Sequence, residues 1–360
     1  MTVRELWCNI MFYDRFDHMP VVHNGIWVET NERWIKEGFP ADAVATPKEF
    51  SFFNAVPPWK YIRINLSLYP QFKEEIIKDT DEYRIVKDES GVVLQTWKNQ
   101  SSLPHYMDFT LKSAMEWPEY KRRLQPDPAR IPSDLDALII DAEQSGLPIA
   151  FSTASLMGWI RNWMGVINMS YLMYDDQDVY ADMVNTLAEL TCWGIDQVVP
   201  RMHVVPDLGF GWEDICGKNG PLINPDIFIK CVAPGYLKIR NKLEHYGVKL
   251  LGVDSDGCVD ALVKPWLDSG VNLLYPIEIG TWNADPMIFR RHYGRELRMV
   301  GGFNKLELEK DKQAIDTEIE RRIPLLRDGG YVIVTDHSVT PASPLVNYQY
   351  YLERIRALRF

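Results

Sequence analysis

VKLLGVDSDGCVDALVKPWLDSGVNLLYPIEIG, residues 248–280, decides how the chain folds. An apolar run (Val248, Leu250, Leu251, Val253) ends on Asp254 and Asp256, and an amphipathic stretch from Cys258 closes at Gly270. A second apolar run follows, from Val271 to Glu278. A strand, a helix stopped by glycine and another buried strand make one βα repeat of a parallel sheet.

The same grammar extends outward in both directions. Upstream lie a helix in DLDALIIDAEQSG, a strand in PIAFSTAS, a helical stretch through YADMVNTLAELTCWGIDQVV, a strand in HVVPDLGFG and a helix in PDIFIKCVAPGYLKIRNKLEHYG. Downstream come DPMIFRRHYG, LRMVGGFN, KQAIDTEIERRIPLLRDGG, YVIVTDHSV and PLVNYQYYLERIRALRF. Residues 135–360 therefore read as regular βα units. Residues 1–134 read as an N-terminal elaboration, with a helix in ETNERWIKEGF (29–39), a loop in AVPPWK (55–60) and a β-hairpin across 82–98 turning at Asp88–Gly91. The expected unit is one domain spanning 1–360.

No GxGxxG follows the first regular strand, as a doubly wound dinucleotide fold would require. Strand after strand instead turns polar at its end: Ser152 and Thr153, Asp207, Asp254 and Asp256, Glu278, Asn304, Asp336 and His337. In a (β/α)8 barrel such ends converge on one face and supply the catalytic groups. With a side-chain period of two, Asp254 and Asp256 share a face of their strand and are expected to look into the barrel mouth. An Asp in this position also serves as a helix N-cap, so each acid alone has a second explanation.

The chain has 360 residues, 46% of them hydrophobic, enough for one large barrel, and a formal charge of −11. That charge and the lack of basic runs argue against nucleic-acid or anionic-membrane partners. Five cysteines without CxxC spacing and no cleavable apolar leader lead to the expectation of a cytoplasmic protein with reduced thiols. There is no GxSxG elbow, HExxH or Walker loop. The convergent set Asp254, Asp256, Glu278 and His337 can either bind a divalent metal or run acid/base chemistry. Met157, Trp159 and Trp163 are candidates to wall an aromatic pocket, with core packing as the other reading. Trp27, His105, Asp207, Glu213 and Asn304 complete the residues expected to meet substrate.

In the order of its motifs the chain resembles the uroporphyrinogen decarboxylase superfamily. The stretches that carry the likeness are PHYMDFTLKSAMEWPEYKRRLQPD, WEDICGKNGPLINPDIFIKCVAPGYLKI, GVDSDGCVDALVKPWLDSGVNLLYPIEIG, MVGGFNK and DGGYVIVTDHSVTPASPLVNYQYYLERIR. The resemblance implies a (β/α)8 TIM barrel with its site at the C-terminal mouth, and the superfamily suggests a homodimer. MPVVHNGIWVETNERW (19–34) has no counterpart of the arginine-rich segment by which the decarboxylase proper holds its polycarboxylate substrate, so the likeness points to the cobalamin-dependent methyltransferase branch.

Thiol-using members of that branch resemble His-x-Cys-Gly at one strand end, with a further Cys four residues before a late Pro. In this chain those places are held by Asp254, Asp256, Gly257 and His337, four residues before Pro341. Replacing every soft ligand by oxygen or imidazole gives a harder site, suited to polarising an ether or phenolate oxygen rather than to activating a thiolate. The resemblance therefore implies a zinc centre on Asp254, Asp256, Glu278 and His337 and the first methyltransferase of an anaerobic aryl O-demethylase system. Its methyl acceptor would be a corrinoid (cobalamin) carried by a separate protein, since no DxHxxG is present. Two other readings stay open, a metal-independent lyase on a small carboxylate and a non-catalytic ligand-binding barrel.

Overall fold

The computed structural model describes residues 1–98, 104–280 and 282–360. Thirteen strands occur among them: β1 (Lys60–Ile62), β2 (Glu75–Asp79), β3 (Tyr83–Lys87), β4 (Val92–Trp97), β5 (His105–Phe109), β6 (Ile149–Ala154), β7 (Leu208–Trp212), β8 (Cys216–Gly217), β9 (Gly220–Pro221), β10 (Leu251–Asp254), β11 (Leu273–Ile277), β12 (Arg298–Phe303) and β13 (Tyr331–Thr335). Seven of these form one parallel sheet in the order β1-β6-β7-β10-β11-β12-β13, with helices in the crossovers. The strands are almost wholly apolar and buried, which is what a parallel sheet covered on both faces demands.

The architecture is the expected TIM-barrel-like α/β fold, with one difference at the seam. Between β13 and β1 there is no eighth regular strand among the described residues; residues 21–26 make single parallel bridges instead, Val22 to Val56 and Ile26 to Val339. The first barrel strand is also earlier than the sequence pattern suggested. Lys60–Ile62 pairs in register with Ile149–Phe151 although it directly follows the loop at 55–60, so part of the stretch read as a preface is barrel wall. Three residues are too few to show a period.

The hairpin at 82–98 is present as β3 and β4, and it belongs to a four-stranded antiparallel sheet with β2 and β5. This sheet packs beside the helix Gly158–Asp175: a Cβ on Gly165, where that helix kinks at φ 73°, would lie 2.5 Å from the Phe109 ring. At the other end of the barrel, the first helix (Val3–Phe12) starts in a capping box on Thr2 and buries Leu6, Trp7, Ile10 and Met11. Gly330 N–H donates to the Ile10 carbonyl at 2.6 Å, tying that helix to the start of β13.

Candidate active site

Asp254 is the last residue of β10 and stands in register with Trp212 of β7 and Tyr275 of β11. Ser255 N–H still donates to the Tyr275 carbonyl, and the chain then turns through Asp256 and Gly257. Gly257 is required there: its φ is +84°, and a Cβ would sit 2.4 Å from the Cys216 carbonyl oxygen. The turn is fastened by Glu278, just past the end of β11, whose Oε2 accepts the Gly257 N–H at 2.7 Å.

Asp254 and Asp256 come close but open into different spaces. Asp254 lines a cavity of about 380 Å³ with Tyr61, Arg63, Trp159, Phe210 and Trp212, and a second of about 710 Å³ with His23, Trp59 and Tyr275. Asp256 lines an apolar groove of about 730 Å³ with Tyr106, Phe109, Arg161, Met164 and Asp214. Burial is the first cause that pushes the Asp254 carboxyl well above the usual carboxylate range, and the charges of Asp256, Asp214 and Glu278 add to it. Asp214 is raised in the same direction, by burial and then by Asp256. His337 Nε2 lies 3.4 Å from Asp256 Oδ2, and this bond raises the imidazole's pKa. The ring stacks on Trp27 at 5.7 Å and 24°, while its buried Nδ1 has no partner among the described residues.

Several residues expected to meet substrate do other work. Asp207 precedes β7 and so lies at the opposite end of the barrel, where it accepts from Arg4 Nε at 2.8 Å, Ile149 N–H at 2.8 Å and Cys8 Sγ at 3.2 Å. Glu213 is buried and accepts the N–H groups of Leu156, Met157 and Gly158 at 2.8–2.9 Å, together with the Ser155 and Tyr236 hydroxyls. It holds the loop that launches the helix carrying Trp159. Met157 and Trp163 are fully buried; Trp163 packs against Tyr120 and Trp159 and, with Trp159, lines a smaller cavity of about 210 Å³. Asn304 caps the turn after β12 by accepting from Leu306 N–H. His105 is exposed on β5 and lines none of the three spaces at the mouth. Trp159 does form cavity wall, edge-on to Trp212 at 5.0 Å, and its indole N–H has no partner among the described residues.

Other residues of the mouth were not among those expected to carry chemistry or meet substrate. Tyr61 and Arg63 follow from the short β1 and were invisible with it. Asp336, one place before His337, accepts from Ile279, Gly280 and Lys305 N–H and ties three strand ends together; its position at a strand end was the available signal.

Among the described residues no three His, Cys, Asp or Glu side chains gather to hold a metal ion. One oxygen of Glu278 is engaged by Gly257 and the Nε2 of His337 by Asp256.

No known family model and no curated protein matches the sequence. The solved structures do. A methyltransferase from Methanosarcina mazei superposes with a TM-score of 0.61 over 99% of this chain and 98% of its own, at 14% identity. The chain shares the fold of that methyltransferase. A B12-independent methionine synthase from Shewanella sp. W3-18-1 also matches, over 79% of this chain and 72% of its own at 10% identity, but its TM-score of 0.40 is too low to bear on the argument. Within the shared fold, the cluster described above occupies the C-terminal strand ends, where barrels of this type place their chemistry. No helix among the described residues is long and apolar enough to cross a membrane.

Proposed function

We propose that the chain is a methyltransferase that removes the methyl group of a small methoxylated aromatic and passes it to a corrinoid carried by a separate protein. One observation carries the reading: a carboxyl group made a poor anion, Asp254, stands in the wall of an aromatic-lined cavity within the size range of small-molecule sites.

Breaking an aryl methyl ether requires a nucleophile for the methyl carbon and a proton for the departing phenolate. The corrinoid supplies the nucleophile when its carrier docks. This chain's residues supply the rest. Tyr61, Trp159, Phe210 and Trp212 hold the ring and exclude water. Asp254, favoured in its protonated form, gives its proton to the ether oxygen as the C–O bond breaks, so the phenol leaves neutral. The His337–Asp256 pair lies beside this acid and is placed to return the proton after product release.

A metal-independent lyase is the second reading, because a carboxyl whose protonated form is favoured at a barrel mouth also suits proton delivery to a carbanion. The test uses free cob(I)alamin as acceptor, a panel of methoxybenzenes, and chain purified without a histidine tag and treated with EDTA. Methylcobalamin and a phenol in equal amounts are expected. Carbon dioxide without a phenol would move the lyase ahead. Activity that vanishes on chelation and returns with zinc would restore the metal centre.

A further inference from the structure

Arg63 is a cation at the mouth that the demethylation reading leaves without a task. It follows the last residue of β1, is exposed, and lines the same cavity as Asp254. Its guanidinium carbon lies 4.0 Å from the centroid of the Tyr61 ring, a cation–π contact that holds the charge beside the cavity. Arg161 donates to the Asp214 carbonyl and to Asn162 and faces the Trp212 ring. Among the described residues no Asp or Glu pairs with Arg63, and residues 99–103 and 281 contain no acid.

The charge layout is therefore polarised. Asp254 stands in the cavity with Asp256, Asp214 and Glu278 around it, so an anionic group is repelled from that part of the wall. Arg63 presents a planar fork of donors to the same space, and a carboxylate can take two of its N–H groups at once.

We propose that the ligand of this cavity carries an anionic group, a ring carboxylate, that pairs with Arg63 and thereby turns the opposite edge of the ring toward Asp254. Combined with the demethylation reading, on which this identification of the substrate rests, the substrate class is a methoxylated aromatic acid. The carboxylate is then a handle that is retained, and the methoxy group is the part that reacts.

The test is calorimetric binding to the full chain of 4-methoxybenzoate and of its neutral analogue 4-methoxybenzyl alcohol, for wild type, Arg63→Ala and Arg63→Lys. The acid is expected to bind at least about tenfold more tightly than the alcohol. Arg63→Ala should erase that preference and leave the alcohol's affinity unchanged, and Arg63→Lys should keep part of it, because lysine retains the charge but not the fork. Arg63 is exposed, so an unchanged melting temperature confirms that the variants are folded. Equal affinities in wild type, equal losses for both ligands in Arg63→Ala, or no binding of either compound would overturn the proposal. Unsubstituted benzoate separates the two ideas. If it binds with the same dependence on Arg63 while no methoxy compound methylates cob(I)alamin, the anion site stands and the demethylation reading falls.

Discussion

Glu213 gives the sharpest quantitative test, because five donors to its carboxylate are in place among the described residues. Oε2 accepts Ser155 Oγ–H at 2.9 Å, Met157 N–H at 2.8 Å and Gly158 N–H at 2.9 Å; Oε1 accepts Leu156 N–H at 2.9 Å and the Tyr236 hydroxyl. Glu213→Gln is nearly isosteric but exchanges one acceptor for an NH2 group. The Oε1 side is the better place for it, since the Tyr236 hydroxyl can rotate to accept, and Leu156 N–H is then the buried donor left facing an N–H. An unsatisfied buried donor costs about 1–3 kcal/mol, and the remaining bonds lose their charge assistance, so Glu213→Gln should cost about 2–4 kcal/mol. Glu213→Ala strands three backbone donors and two hydroxyls and should cost more, a large share of the 5–15 kcal/mol by which domains are typically stable. Urea unfolding, followed by tryptophan fluorescence, reads the change as a fall in the midpoint at constant slope. A loss below about 1 kcal/mol for the Gln variant would refute the scaffold role and return Glu213 to the residues that meet substrate.

Asp254→Asn should behave in the opposite way. The folded carboxyl is raised well above its unfolded value, so stability falls as pH climbs from the unfolded through the folded pKa; the Asn variant escapes that loss, and its stability relative to wild type should rise with pH across this window. Thermal melts at a series of pH values check the sign, and methyl transfer should fall by about 10²–10⁴-fold as the proton donor is lost. A variant less stable than wild type at every pH would count against the crowding of like charges around Asp254. Gly257→Ala must place a Cβ against the Cys216 carbonyl at a φ of +84°; a loss of about 1–3 kcal/mol is expected. A wild-type melting curve for that variant would mean that the turn after β10 is built differently.

How much of this could be read from sequence follows from length and register. β10, β11 and β13 announce themselves because a strand buried on both faces needs four or more consecutive apolar residues. β1 has three, Lys-Tyr-Ile, between a proline loop and Arg63, and no local pattern separates it from its surroundings. With β1 went the wall made by Tyr61 and Arg63. Asp207 misled for a different reason. HVVPDLGFG contains two apolar runs around one acid, and only pairing with β6 and β10 shows that the strand begins after Asp207 rather than ending on it. A polar residue at a strand boundary is legible; which end of the strand it marks is a tertiary fact.

The acids of the mouth divide by what donates to them. Glu213, Asp336 and Glu278 accept backbone N–H groups from neighbouring strand ends, and those bonds both hold the loops and fix where the oxygens point. Asp254 has no such donor to its side chain among the described residues, and the nearby Asp256, Asp214 and Glu278 disfavour its charge. A carboxylate stapled by backbone donors is stationary and costly to redirect toward an ion. In one that is buried among like charges the protonated form is favoured instead. The anchored acids thus hold the loops of the mouth in place, whereas Asp254 is the acid that the proposed reaction uses as its proton donor.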